Sequence, residues 1–384
     1  MVRSPRTTTR RPWLLAVALA ALLAVLAAPA AQAQGVNAPA GKTGHPAVSV
    51  VATGLNNPRG LGFSPSGALY VAESGRGGAG PCFQGPEGPS CFGLSGAVTR
   101  IQHGRQSRVL TGLPSFAPED GSLAIGPSDV SFNRFGGMYV TVGLGANPAL
   151  REQVPALADM GTLLRANPRL GTWREVADIG DFEAKVNPDG GLPDTNPNSV
   201  FAGAHSRVVA DAGGNSLLRV STKGRISVLA TFPDRMVEAP PDLGLPPGTR
   251  IPMQAVPTSV VQGPDGAYYV GQLTGFPFPV GAARVYRVVP GHKPQIFARG
   301  FTNIIDLAFD QRGRLYVLEI AHNSLLSGDP TGALIGVRAS GSHQIVLTDP
   351  LVTPGGLAIR GGAAYVSNCG TCAGTGTVLR VKLD

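Results

Sequence analysis

The chain is poor in the residues that mark many enzyme chemistries. Its 384 residues include only 6 His and 4 Cys, and 15% are charged. There is no H-E-x-x-H pair to hold a catalytic zinc and no G-x-S-x-G turn to present a nucleophilic serine. Basic residues are scattered singly, without a stripe of interleaved aromatics, which disfavours a nucleic-acid partner. A single long apolar run occurs, residues 13–28, and its 16 residues fall short of the ~20 that a spanning helix needs.

That run has the setting of an export signal. Arg3, Arg6, Arg10 and Arg11 precede it, and Ala31-Gln32-Ala33 follows as an A-x-A cleavage site. A signal peptide over 1–33, a short linker over 34–47 and an exported chain with no membrane span are therefore expected. Arg10-Arg11 also fits a twin-arginine signal, although the Sec route is favoured. Losing residues 1–33 removes four Arg and no acid, so the formal charge drops from +8 to +4. Cys82, Cys91, Cys369 and Cys372 form an even set in an oxidising compartment, which favours disulfides over zinc and leaves their pairing open.

What the sequence has in abundance is glycine, 53 residues, and a repeat. "NPRGLGFSPSGALYVAES" (57–74) is echoed at 126–143, 196–213, 256–273, 301–320 and 353–370. Each echo reads as a strand, a turn and a second strand, usually with Gly in the turn and Tyr in the second strand. A third strand follows each time, as in "GAVTRI" and "GTVLRV", and a fourth follows in five cases. The sixth unit ends without one, while "VSVVATGL" (48–55) precedes the first echo and resembles the fourth strands. The expectation is an all-β fold: one six-bladed β-propeller over 48–384, with four-stranded blades and the last blade closed by the N-terminal strand.

The glycines of "ALYVAESGRGGAG" (68–80) match the G-x-G-x-x-G spacing of a dinucleotide turn. They run into Pro81-Cys82, where no regular helix can start, and no carboxylate follows about 20 residues on. The match is therefore read as coincidence, and the glycines as part of a cysteine-stapled loop.

In a propeller the loops joining strands 2 to 3 and strand 4 to the next blade share one face. All the long segments here are of that kind: 74–95, 112–125, 143–160, 180–197, 233–254, 272–282, 320–331 and 368–375. Function is expected at this face, around the channel mouth. His103, His205, His292 and His343 are assigned to turns on the opposite face, and His45 lies before the fold. Only His322 joins the elaborated face.

Three residues past the Tyr position, the second strands end in Glu73, Val142, Asp211, Gln272, Glu319 and Asn368. The starts of the first strands add Arg59, Asp129, Asn198, Thr258 and Asp306. Oxygen-rich side chains converging on a channel mouth suit Ca²⁺ or Mg²⁺, with Glu73, Asp129, Asp211, Asp306 and Glu319 as ligands. The competing reading is that each acid accepts backbone N–H groups of its neighbouring loop.

The opening run at 50–78 and the stretch "NPNSVFAGAHSRVVADAGGNSLLRVSTKGRISVLATFP" (196–233) resemble the ScyD/ScyE family, named from scytonemin-pigment gene clusters. The resemblance spans 48–384 and implies a secreted six-bladed propeller of the NHL/gluconolactonase-like type, without catalytic residues to carry over. The leading functional expectation is a binding or scaffold protein taking a small molecule, glycan or extracellular protein. The alternative is a divalent-metal hydrolase of lactonase type. A quinoprotein dehydrogenase is a distant third, supported only by His322.

Overall fold

The structure, a computed structural model, describes residues 46–85, 88–338 and 340–383. The segment read as a signal peptide and most of the linker lie outside the described residues. Six antiparallel sheets stand around a ring, each with its first strand innermost, and the first strand of every blade lies against that of the next. Those strands are Pro58–Phe63, Pro127–Phe132, Pro197–Ala202, Pro257–Gln262, Ile304–Phe309 and Gly356–Arg360. The fold is a six-bladed β-propeller with four-stranded antiparallel blades.

Burial falls outward along each blade, as a ring of stacked sheets requires. The second strands Leu69–Glu73, Met138–Val142 and Leu315–Glu319 are buried at every position, because a neighbouring blade covers each face. The fourth strands are the most exposed, as in Ile226–Thr231, where Ala230 alone is buried. Tyr139 and Tyr316 are among the largest fully buried side chains. Their size fills the wedge between diverging blades.

One turn recurs between strands 1 and 2. Gly67 N donates to Ser64 O, Gly136 N to Asn133 O, Gly266 N to Gly263 O and Gly313 N to Asp310 O, at 2.9–3.0 Å. Each of the closing glycines has a positive φ, between 77° and 90°, which an L side chain adopts only with strain.

In blade 6, Val48–Leu55 is the outer strand, antiparallel to Gly376–Lys382 with Val48 opposite Val381. Ala52 and Leu55 point inward and are buried. In blade 1 the third strand, Gly88–Gln102, is prolonged beyond the blade, and its leading part pairs with Cys82–Gly85. Cys82 is bonded to Cys91 directly opposite, and Cys369 to Cys372 in the blade 6 loop. Gly77 packs under this hairpin, where a Cβ would lie 2.5 Å from Cys91 O, so the glycine-rich run serves a stapled loop. Further decoration comes from the helix Ile179–Val186 and from a projecting hairpin, Arg235–Glu238 with Arg250–Met253. No helix among the described residues is long and apolar enough to cross a membrane.

Candidate functional site

The channel mouth opens into a cavity of about 420 Å³. Its rim comes from the starts of the first strands: Arg59, Ser128, Asn198, Thr258 and Ile305. Its next layer comes from residues just past the second strands: Ser74, Gly143, Ala212, Leu273 and Ile320. Long loops roof it on the side of blades 1 to 3, bringing Phe116, Leu123, Leu150, Leu157 and Met160. Leu157 and Met160 are fully buried, so this roof is packed. The walls are mainly apolar; Arg59 and Asp194 are the charged residues lining them.

Most of the acids expected here lie one residue out of register. Successive side chains in a strand point to opposite faces, so a slip of one residue exchanges the cavity for the blade interior. Glu73, Asp211, Gln272 and Glu319 immediately precede the cavity-lining Ser74, Ala212, Leu273 and Ile320, and Asn368 is likewise outside the cavity lining. The acids and Asn368 cap the inter-blade loops instead. Glu73 accepts the N–H of Asn56, Asp211 that of Asn196, Glu319 that of Thr302 and Asn368 that of Val352, all at 2.6–2.8 Å. Glu73 also accepts Thr99 Oγ1 and both Nε and Nη2 of Arg108. His322 Nδ1 lies against Glu319 Oε2 at 2.5 Å, so the sole histidine of this face is tied to that cap. In blade 4 the equivalent Gln272 is buried without a hydrogen-bond partner on either side-chain polar atom.

Asp129 and Asp306 are corrected in the same way. They follow the cavity-lining Ser128 and Ile305, and they join blades. Asp129 Oδ2 accepts Val200 N and Ser199 Oγ from blade 3, while Oδ1 accepts Val130 N. Ser199 Oγ in turn accepts Val260 N of blade 4, and Ser259 Oγ accepts Leu307 N of blade 5. Asp306 Oδ2 then accepts Leu357 N of blade 6. At the matching positions blades 1 and 6 carry Gly60 and Gly356. A Cβ on Gly60 would meet Asp129 Oδ1 at 2.2 Å, and one on Gly356 would meet Gly60 Cα at 2.6 Å. Short side-chain acceptors thus stitch blades 2 to 6, and bare backbone packs where blades 6, 1 and 2 meet. Burial pushes both aspartates above the usual carboxylate range, with Asp129 adding to the effect at Asp306.

Among the described residues no three or more His, Cys, Asp and Glu gather closely enough to hold a metal ion. The five acids expected as ligands for Ca²⁺ or Mg²⁺ are spread over separate caps and clasps, and they do not fit that role. Of the candidates, Arg59, Asn198 and Thr258 do reach the cavity. Asn198 Nδ2 donates to Thr258 O, holding the rim of blade 3 to that of blade 4. Ser128, Ile305 and the apolar layer escaped the sequence reading because they carry no distinctive chemistry; the repeat register alone marks them.

One acidic group does border the cavity. The helix Ile179–Val186 is capped by Asp178, which accepts Asp181 N, and it seats the buried Glu183 beside the Gly213-Gly214 turn. A Cβ on Gly213 would lie 2.8 Å from Asp194 Oδ1 and from the backbone N of Thr195, and one on Gly214 2.8 Å from Glu183 Oε2, so the turn packs closely on both acids. Burial, then the charges of Asp211 and Asp189, push Glu183 up to about 8. Burial and Asp211 push Asp194 to about 7, and burial takes Asp211 to about 6. Of these, Asp194 alone faces the cavity.

No protein-family model matches the chain, and no curated protein matches it in sequence. Solved structures do share its fold. The gluconolactonase XC5397 from Xanthomonas campestris is 10% identical with a TM-score of 0.52, over 88% of this chain and 89% of that one. An auxiliary nutrient binding protein from Bacteroides thetaiotaomicron is 9% identical with a TM-score of 0.50, over 85% and 69%. A structural genomics protein of unknown function from the same organism is 9% identical with a TM-score of 0.53, over 87% and 75%. At such identities the likeness concerns the fold.

Proposed function

We propose that this chain is an exported propeller that binds a small, largely apolar organic molecule at its channel mouth. The observation that carries the reading is the cavity itself: about 420 Å³, within the size range of small-molecule sites, with mainly apolar walls and a few polar groups at its rim. Export is supported by the N-terminal signal pattern and by the Cys82–Cys91 bond. The resemblance to the ScyD/ScyE family points the same way, toward a secreted propeller. Fold neighbours described as a gluconolactonase and a nutrient binding protein show what this architecture hosts in other proteins, without assigning either activity here. The metal-dependent hydrolase reading loses support because its carboxylates are engaged with backbone N–H groups.

The test is direct binding of an apolar fluorescent probe, followed by Ala146→Trp. Ala146 lines the cavity from a partly exposed loop, so an indole there fills the mouth without displacing core. The variant is expected to keep its melting temperature and to lose most of the probe affinity. Undiminished binding by a folded Ala146→Trp protein would move the site elsewhere.

A further inference from the structure

The charge distribution in the cavity is lopsided, and it bears on what the cavity takes. Arg59 stands at the start of the first strand of blade 1. Its backbone is held by Ser367 Oγ, which donates to Arg59 O at 2.7 Å. The neighbouring blade gives way to it, since a Cβ on Gly355 would lie 3.2 Å from Arg59 Cα. Among the described residues the side chain makes one hydrogen bond, from Nη2 to Ala124 O at 3.0 Å. Among the described residues it makes no ion pair, whereas Arg108, Arg151, Arg287 and Arg314 all face carboxylates.

A guanidinium has five N–H donors in a planar fork that suits a carboxylate. The rest of that fork opens into the cavity with no counter-charge, where an anion would find free donors. Burial lowers the Arg59 pKa to about 10, which still leaves the group charged at neutral pH. The acids near it do not compensate it: Asp129 of the next blade is turned to Val130, Val200 and Ser199, and Glu73 to Asn56, Thr99 and Arg108. The cavity's one carboxylate, Asp194, precedes the first strand of blade 3, two blades round the ring.

Resting on the small-molecule reading above, we infer that the ligand is an amphipathic organic monoanion. Its carboxylate, or a similar planar or tetrahedral oxyanion, sits on Arg59. Its apolar body lies along Ala212, Leu273 and Ile320. Asp194, two blades round the ring, disfavours a second negative charge on the ligand.

The probes are 2-naphthoate, its neutral isostere 2-naphthamide, and a naphthylmethylammonium ion, titrated into the purified protein by calorimetry at pH 7.5. The naphthoate is expected to bind about tenfold or more tighter than the amide, and the ammonium most weakly. In Arg59→Gln the naphthoate affinity should fall to the amide level while the amide affinity stays within about twofold. Arg59→Lys should keep part of the preference, and thermal melts of both variants confirm that they fold. Equal binding of acid and amide by the wild type, or a preference that survives Arg59→Gln, overturns the anion assignment and leaves the cavity reading standing. If no naphthalene probe binds the wild type, the cavity reading fails and takes the anion assignment with it.

Discussion

Replacing Asp129 by alanine tests whether the carboxylates of the inner ring serve to join blades. The side chain takes three donors: Val130 N at 2.7 Å, Val200 N at 2.9 Å and Ser199 Oγ at 3.0 Å. The Ser199 hydroxyl can rotate to another acceptor, but the two amides are fixed by their strands. Each buried donor left without a partner costs about 1–3 kcal/mol, so Asp129→Ala should lose roughly 2–6 kcal/mol. That is a large share of the ~5–15 kcal/mol that holds a typical fold. Asp129→Asn separates shape from charge: its oxygen can serve one amide, while its NH₂ faces the other. It should fall between wild type and alanine. Urea denaturation followed by tryptophan fluorescence and by far-UV circular dichroism gives both differences, provided the two probes coincide. A loss below about 1 kcal/mol for Asp129→Ala would refute the clasp, because two fixed amides cannot be abandoned that cheaply.

The raised carboxyl groups predict an unusual pH response. Asp194, Asp211 and Glu183 hold their protons more tightly folded than unfolded, so their contribution is full below about pH 4 and is lost as pH rises through about 6 to 8. Glu183→Gln should therefore flatten the decline in melting temperature between pH 5 and pH 8, and an unchanged decline would count against the cluster. Glu73→Ala strips Asn56 N, Thr99 Oγ1 and Arg108 of their acceptor, and should cost about 2–4 kcal/mol in urea unfolding. Deleting residues 48–55 leaves Gly376–Lys382 as an open edge and removes the buried Ala52 and Leu55. The truncated protein should aggregate on size-exclusion chromatography, and a stable monomer would show that this strand is dispensable. Mass spectrometry of unreduced protein should find Cys82 and Cys91 in one bridged pair, with no alkylation by iodoacetamide.

The blades were legible in the sequence because their signal is periodic. Second strands such as "LYVAE" and "LYVLE" repeat the same buried pattern, and one four-residue turn closed by glycine recurs in four of the hairpins. His343 was placed in a turn yet begins the fourth strand of blade 5, stacked on Phe301. Strand ends are set by hydrogen bonds and packing, which composition records poorly.

The site was less legible, and for one physical reason. The sequence marks polar residues, and in a propeller the polar residues nearest the channel have two competing uses. A short acceptor beside a blade junction can reach the neighbouring strand's N–H, as Asp129 and Asp306 do, while a residue one position earlier faces the cavity. Because strand side chains alternate, that choice is decided by parity rather than by residue type. Parity can be read from the repeat once it is aligned on Leu61, Val130, Val200, Val260, Leu307 and Leu357. The position before each anchor is the junction set: Gly60, Asp129, Ser199, Ser259, Asp306 and Gly356. The position before that is Arg59, Ser128, Asn198, Thr258, Ile305 and Gly355, of which the first five line the cavity. Aligned this way, the acids leave the site, and the one cation that stays, Arg59, is the residue without a counter-charge. The same parity predicts that Ile305→Ala weakens ligand binding by calorimetry, on top of the roughly 2–5 kcal/mol that truncating a buried isoleucine costs, whereas Ser259→Ala lowers urea stability and leaves ligand affinity intact. If Ser259→Ala impaired binding as much as Ile305→Ala, the two positions would not be separate layers of the ring.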